Sequence, residues 1–148
     1  MPRANQDRYN PLGRIPRTLW AHAHDSTQDA FPVVLLFEHT QEMFILLPDN
    51  WNGLDKLVLW IIGGGTETPD LTITIHIGTC TEAYNIHTQT VTPIACALAN
   101  TIYKCLDLTA LFDTVLPNLA SRDLIRLTVT ATTMDYTHYV MGMELQET

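Results

Sequence analysis

Past residue 32 the chain is a succession of short apolar runs separated by turn-forming residues. The clearest run is 71–77, where Leu71, Ile73, Ile75 and Ile77 occupy one parity and Thr72, Thr74 and His76 the other. Side chains along a strand point alternately to opposite faces, so this period of two predicts a strand with one buried face. Residues 123–132 repeat it, with Ile125, Leu127, Val129 and Ala131 opposed to Arg126, Thr128, Thr130 and Thr132. In 138–146, Tyr139, Met141, Met143 and Leu145 alternate with His138, Val140, Gly142 and Glu144. The short connection 133–137 predicts that these two strands pair as an antiparallel hairpin, with Tyr139, Met141 and Leu145 in the core. Runs at 33–39, 43–47, 93–99 and 101–106 read as further strands, and the Thr-rich 83–92 as an edge strand. Leu108, Leu111, Phe112, Val115 and Leu116 fall at helical spacing before Pro117, which predicts one short helix over the end of a sheet. Roughly seven or eight strands with at most one short helix predict an all-β fold, an antiparallel, jelly-roll-like β-sandwich.

Residues 54–62 break the half-polar pattern. Leu57, Leu59 and Ile61 share one parity and Val58, Trp60 and Ile62 the other, so both faces are apolar. The second face of such a strand is covered either by the chain's own N-terminal arm or by another subunit. Val58, Trp60 and Ile62 are therefore the candidate oligomer interface. The segment 48–53 is dense in turn formers. Gly63, Gly64 and Gly65 read as a flexible turn rather than a phosphate loop, because no lysine follows and Pro69 opposes a helix.

Residues 1–32 differ from the rest. Pro2, Pro11, Pro16 and Pro32 punctuate them and no clean period appears, which predicts an extended arm ahead of a sandwich domain at 33–148. The charge is divided the same way. Of a net −8, residues 1–17 carry Arg3, Arg8, Arg14 and Arg17 against Asp7, whereas the remainder sets four basic residues against fifteen acids. A basic, Pro-rich segment with spaced apolar residues suits docking on an acidic neighbouring copy. Arg14, Ile15, Arg17, Leu19 and Trp20 are its candidate anchors, with Leu12 upstream, and the arm is expected to leave its own body. Four arginines without lysines or stacking aromatics are a weak footprint for nucleic acid.

With 46% apolar and 16% charged residues, the chain has the means for a packed core. The first 20 residues lack an apolar signal core, and no run approaches the roughly 18 apolar residues of a membrane helix. Synthesis in a cytoplasm and no membrane partner are expected. Cys80, Cys96 and Cys105 show no CxxC spacing, and their odd number favours reduced thiols, with a Cys80–Cys96 bridge left open. No catalytic grouping stands out: the only serines are Ser26 and Ser121, and the carboxylates are scattered. His22 and His24 have metal-ligand spacing but lie in the arm, so no metal or other cofactor is expected. Asp49, Asn50 and Trp51 combine an aromatic ring with polar neighbours, the chemistry of a sugar site. Trp60 and Tyr84 are alternative platforms, and Trp51 equally fits a plug at the end of the sandwich.

Three stretches carry a family resemblance. Residues 46–53, Leu-Leu-Pro-Asp-Asn-Trp-Asn-Gly, are a strand ending in a Pro-x-x-Trp-x-Gly turn ahead of the strand with Trp60. Residues 121–129, Ser-Arg-Asp-Leu-Ile-Arg-Leu-Thr-Val, and the closing 140–145, Val-Met-Gly-Met-Glu-Leu, complete the set. Over about residues 42–146 the arrangement resembles the jelly-roll-type β-sandwich domains of tailed-phage virion proteins, found in head decoration proteins and tail fibres. This sequence departs from that pattern where the usual small-Gly-Asp reads Ser121-Arg122-Asp123, and in its arm. The resemblance implies a structural, non-enzymatic virion protein, a homotrimer that also meets other virion proteins. A lectin-like carbohydrate-binding module is the rival reading.

Overall fold

The computed structural model describes residues 15–25, 33–35, 40–132 and 134–148. They form two antiparallel sheets. Sheet I has the order β1 (Thr18–His22), β10 (His138–Glu147), β5 (Leu54–Ile62), β8 (Tyr103–Asp107), with β3 (Val33–Leu35) also paired to β10. Sheet II has the order β2 (His24–Asp25), β4 (Gln41–Leu46), β9 (Leu124–Ala131), β6 (Asp70–Gly78), β7 (His87–Ala95). Among the described strands only β6 and β7 form a hairpin with their sequence neighbour; every other connection crosses between the sheets.

Alternation explains the core. Leu57, Leu59 and Ile61 of β5 and Met143 and Leu145 of β10 face Ile73 and Ile75 of β6 and Ile125, Leu127 and Val129 of β9, all fully buried. Each such side chain contributes about 1.5–3 kcal/mol by removal from water. Leu108, Phe112, Val115 and Leu116 join the same core from the segment after β8. The expected helix there is instead a series of single turns, closed by bonds such as Phe112 N–H to the Leu108 carbonyl (3.2 Å), then a 3₁₀ turn at Leu116–Asn118. The spacing correctly placed one apolar face, but Asp107 and Thr109 bond each other and Pro117 lies inside the last turn. These are features of turns rather than of a helix interior.

The expected hairpin of the last two strands does not form. β9 lies between β4 and β6 in sheet II, and β10 between β1 and β5 in sheet I. A short connection is compatible with a hop between sheets, and the inner faces of two sheets offered more burial than one shared ladder. Tyr139 and Met141 are not core residues either. Val140 pairs with Ile61 but Gly142 with Trp60, so β10 carries one extra residue, and a bulge reverses the parity of the rest of the strand. His138 and Val140 point inward before the bulge, Met143 and Leu145 after it.

Two other expectations change. The strand expected at 93–99 belongs at its start to β7, which continues through Pro93 with a register slip opposite β6. As an edge strand β7 can accommodate a residue without an N–H donor. The glycine triplet is not a flexible turn. A Cβ on Gly63 would overlap the Ala99 carbonyl, one on Gly64 the Thr137 carbonyl, and one on Gly65 the Tyr136 ring. The triplet is a packed seam between connections.

The boundary expected at residue 32 also shifts. Thr18–His22 pairs with β10 and His24–Asp25 with β4, so part of the segment read as an arm belongs to its own sandwich. Ala21 and Ala23 are buried where the chain passes from one sheet to the other. The arm upstream of Ile15, including Leu12 and Arg14, the segment 26–32 and the end of the run 33–39 lie outside the described residues. No described helix is long and apolar enough to cross a membrane.

The bulge makes a direct prediction. Met143→Ala should cost about 2–5 kcal/mol in urea unfolding, as for other buried large-to-small changes, whereas Met141→Ala should cost less than about 1 kcal/mol. Equal losses would mean that the alternation of β10 runs unbroken.

Candidate functional site

Strand β4 is apolar on both parities. Met43 and Ile45 enter the core, which leaves Phe44 and Leu46 on the outer face of sheet II, each about half exposed. Register sets Leu46 beside Leu124 and Phe44 beside Arg126, with Gly78 and His76 of β6 beyond them. Residues 79–86 rise from the end of β6 and carry Tyr84, 72% exposed, with its ring 5.8 Å from that of His76. The result is an open groove of about 710 Å³ with an apolar floor and a polar rim of Arg122, Arg126, His76 and Glu82. Farther along the same face, Thr72 bonds Thr92 and Thr74 bonds Thr90 across the ladder.

The rim is electrostatically organised. Arg126 is paired with Glu42, and Arg122 lies 3.8 Å from Asp49 at an exposed site. His76 Nδ1 shares a 2.8 Å hydrogen bond with the Thr88 hydroxyl. Burial, and then the Arg126 guanidinium, hold its imidazole below the ordinary histidine value, against a backbone hydrogen bond with Tyr84. The Thr79 amide, with help from His87 and the Thr79 hydroxyl, keeps the Glu82 carboxyl below the usual range. One rim position, and one in the loop beside the rim, are conformationally costly. Arg122 has φ +69° and Thr81 φ +78°. For residues with a Cβ this region costs about 1–2 kcal/mol, and for a β-branched residue it is a marked outlier.

The outer face of sheet I carries a second feature. Trp20 of β1 lies over β10 at Gly142, where a Cβ would come within 2.7 Å of its ring. Trp20 packs edge-on against Trp60, with centroids 6.4 Å apart, and Trp60 against Tyr103 at 5.9 Å. Trp60 Nε1 donates to Glu144 and Trp20 Nε1 to His22 Nδ1, both at 3.2 Å. The aromatic strip crosses all four strands of the sheet order, and its two ends are open: Trp20 is 44% and Tyr103 61% exposed.

The fold scatters the sequence-derived candidates. Of the expected interface, Val58 is buried in its own subunit and Trp60 and Ile62 are half-buried, with Trp20 leaning over Trp60 from β1. The second face of β5 is thus covered in part by the N-terminal segment of the same chain. Among the expected arm anchors, Arg17 is tied within its own subunit, donating to Glu147 at 2.8 Å and to the Asn50 carbonyl at 3.0 Å. Leu19 packs on the core and Ile15 is exposed. The expected sugar site at Asp49, Asn50 and Trp51 does not assemble. Trp51 is packed against the core with its indole nitrogen buried, which is the plug, while Asp49 points to Arg122. His22 and His24 fall in different sheets, since the chain changes sheet at Ala23. The three cysteines are free, and burial pushes the Cys96 thiol up.

Phe44, Leu46, Leu124 and Arg122 were missed as site residues. The signal was present in β4. Phe44 and Leu46 make its second parity as apolar as that of 54–62, and a strand apolar on both parities exposes one of them unless something covers it.

No family model matches the chain, and no curated protein is similar to it in sequence. Among solved structures, it is similar to TmCBM61 in complex with beta-1,4-galactotriose, at 8% identity and a TM-score of 0.40, over 97% of this chain and 78% of that one. It is also similar to the enzymatically active domain of tailspike protein 4 of bacteriophage CBA120, at 11% identity and a TM-score of 0.40, over 88% of this chain and 19% of that one. Likeness at this level assigns no role to any residue.

The depressed His76 value has a consequence for stability. The unfolded chain takes up this proton near its ordinary value, about 6.5, and the folded chain only at lower pH, so acidification below about 6.5 favours the unfolded state. His76→Gln should therefore lose less stability than the parent between pH 7 and pH 5, measured as urea midpoints. Identical losses would contradict the assignment.

Proposed function

We propose that this chain is a non-enzymatic structural component of a virus particle, of the capsid decoration or tail-fibre kind, which associates with copies of itself as a homotrimer. The observation that carries the reading is the aromatic strip on sheet I. Large aromatic side chains exposed together mark association surfaces, where they are enriched relative to ordinary protein surface. Trp20 and Tyr103 are the exposed ends of that strip, and Trp60 supports both from beneath. Val58 is too buried to take part. The charge division supports the same reading, because a basic N-terminal segment beside an acidic body favours contact between copies. Such a protein would be made in the host cytoplasm and reside in the virion, in contact with other virion proteins.

The mass of the full chain in solution tests this. A trimer is expected, and Tyr103→Glu should shift it toward monomer while leaving the far-ultraviolet circular dichroism unchanged. A parent protein that is monomeric at micromolar concentration would overturn the reading.

A further inference from the structure

The groove on the outer face of sheet II has no part in that association, and its chemistry points to a ligand of its own. We infer that it is a binding site for a neutral saccharide. The inference goes beyond the proposed particle role and stands on a different face.

The groove is amphipathic in a particular way. Phe44, Leu46 and Leu124 supply an apolar floor, and Tyr84 a largely exposed ring above His76. Around them stand a guanidinium donor at Arg122, another at Arg126, and a carboxylate acceptor at Glu82. A pyranose matches that combination, since its C–H face packs on an aromatic ring while its hydroxyls donate to carboxylates and accept from guanidinium groups. The open shape admits a chain of sugar units rather than enclosing one small molecule.

Charge decides against other ligands. Both guanidinium groups already face carboxylates, Arg126 with Glu42 and Arg122 with Asp49. Glu82 adds a negative group, and the imidazole of His76 is kept neutral near pH 7. A phosphate or sulfate needs several uncompensated cations, and this rim offers at most Arg122, which has Asp49 3.8 Å away. A wholly apolar ligand would strip water from Arg122, Glu82 and the Tyr84 rim without replacing its hydrogen bonds.

The backbone adds an independent mark. Arg122, which lines the groove, adopts a left-handed conformation, as does Thr81 between the lining residues Cys80 and Glu82. Glycine would relieve both positions, yet 122 carries a long cationic side chain that reaches the groove. Strain of this kind persists where the side chain does something the fold itself does not need.

The full chain would be applied to a printed array of neutral and acidic oligosaccharides, with each binder then titrated by calorimetry at pH 7. Binding to at least one neutral oligosaccharide is expected. Tyr84→Ala should weaken it by about tenfold or more through loss of the stacking ring. Arg122→Gly should weaken binding while raising the thermal midpoint, a combination that general damage to the fold would not produce. Both variants should keep the parent's mass in solution, which separates this outcome from that of the trimer test. Binding only to acidic glycans, binding unaffected by Tyr84→Ala and Arg122→Gly, or no binding to the array would each overturn the inference.

Discussion

Sheet I depends on β10, because β1, β3 and β5 all pair with it, and the entry of β10 is held by one buried contact. His138 is fully buried. The Gly64 amide donates to its Nδ1 at 3.0 Å, so that nitrogen must be an acceptor and the proton sits on Nε2, which donates to Glu67. Burial pushes the Glu67 carboxyl up, but the amides of Asp135 and Tyr136 together with His138 outweigh it and hold the carboxyl below its usual range. Glu67 is itself bonded through its backbone to Leu98. Three crossings between the sheets, those after β5, β7 and β9, therefore meet at Glu67, the last two through its backbone and its carboxylate respectively. A buried polar group left without its partner costs about 1–3 kcal/mol, so these connections are held in one arrangement together. The close approach of the glycines is a condition of that meeting, since a side chain at 64 would displace the Thr137 carbonyl.

With the crossings fixed, the two strands that are apolar on both parities meet different fates. The second face of β5 lies in the middle of sheet I, and Trp20 from the adjoining end of the sheet partly covers it across Gly142. Among the described residues the second face of β4 has no such cover. Its Phe44 and Leu46 remain open at the end of sheet II, beneath Tyr84. The molecule thus presents an aromatic strip on one side and an apolar groove with a polar rim on the other. In the groove Arg126 is paired with Glu42, and Arg122 lies 3.8 Å from Asp49.

Arg17 and Glu147 show how the N-terminal segment is tied to this frame. The Glu147 carboxylate is buried and accepts from the Arg17 guanidinium and from the Asn52 amide. A buried charge without these donors would be strongly unfavourable. The bond therefore anchors the start of β1, the turn after β4 and the end of β10 to each other.

The sequence by itself determined the all-β class, the inner parity of β5, β6 and β9, and the plug at Trp51 as one of two options. These are properties of a single strand or turn, set by a period of two and by local turn chemistry. It also marked Trp60 and Tyr84 as aromatic residues in need of an explanation. Pairing, by contrast, was decided only by the tertiary structure. Whether β9 joins β10 or β4 depends on contacts between residues far apart in sequence, and a five-residue connection permits either. The parity of Met141 turned on a bulge, which inserts one residue into β10 without altering its composition. The place of Thr18–Asp25 turned on two open sheet edges, which do not exist until the body has formed. The groove, finally, was assembled from β4, from β6 with the loop after it, and from β9 with the turn before it, and no pattern along one strand records that three separate segments will share one rim.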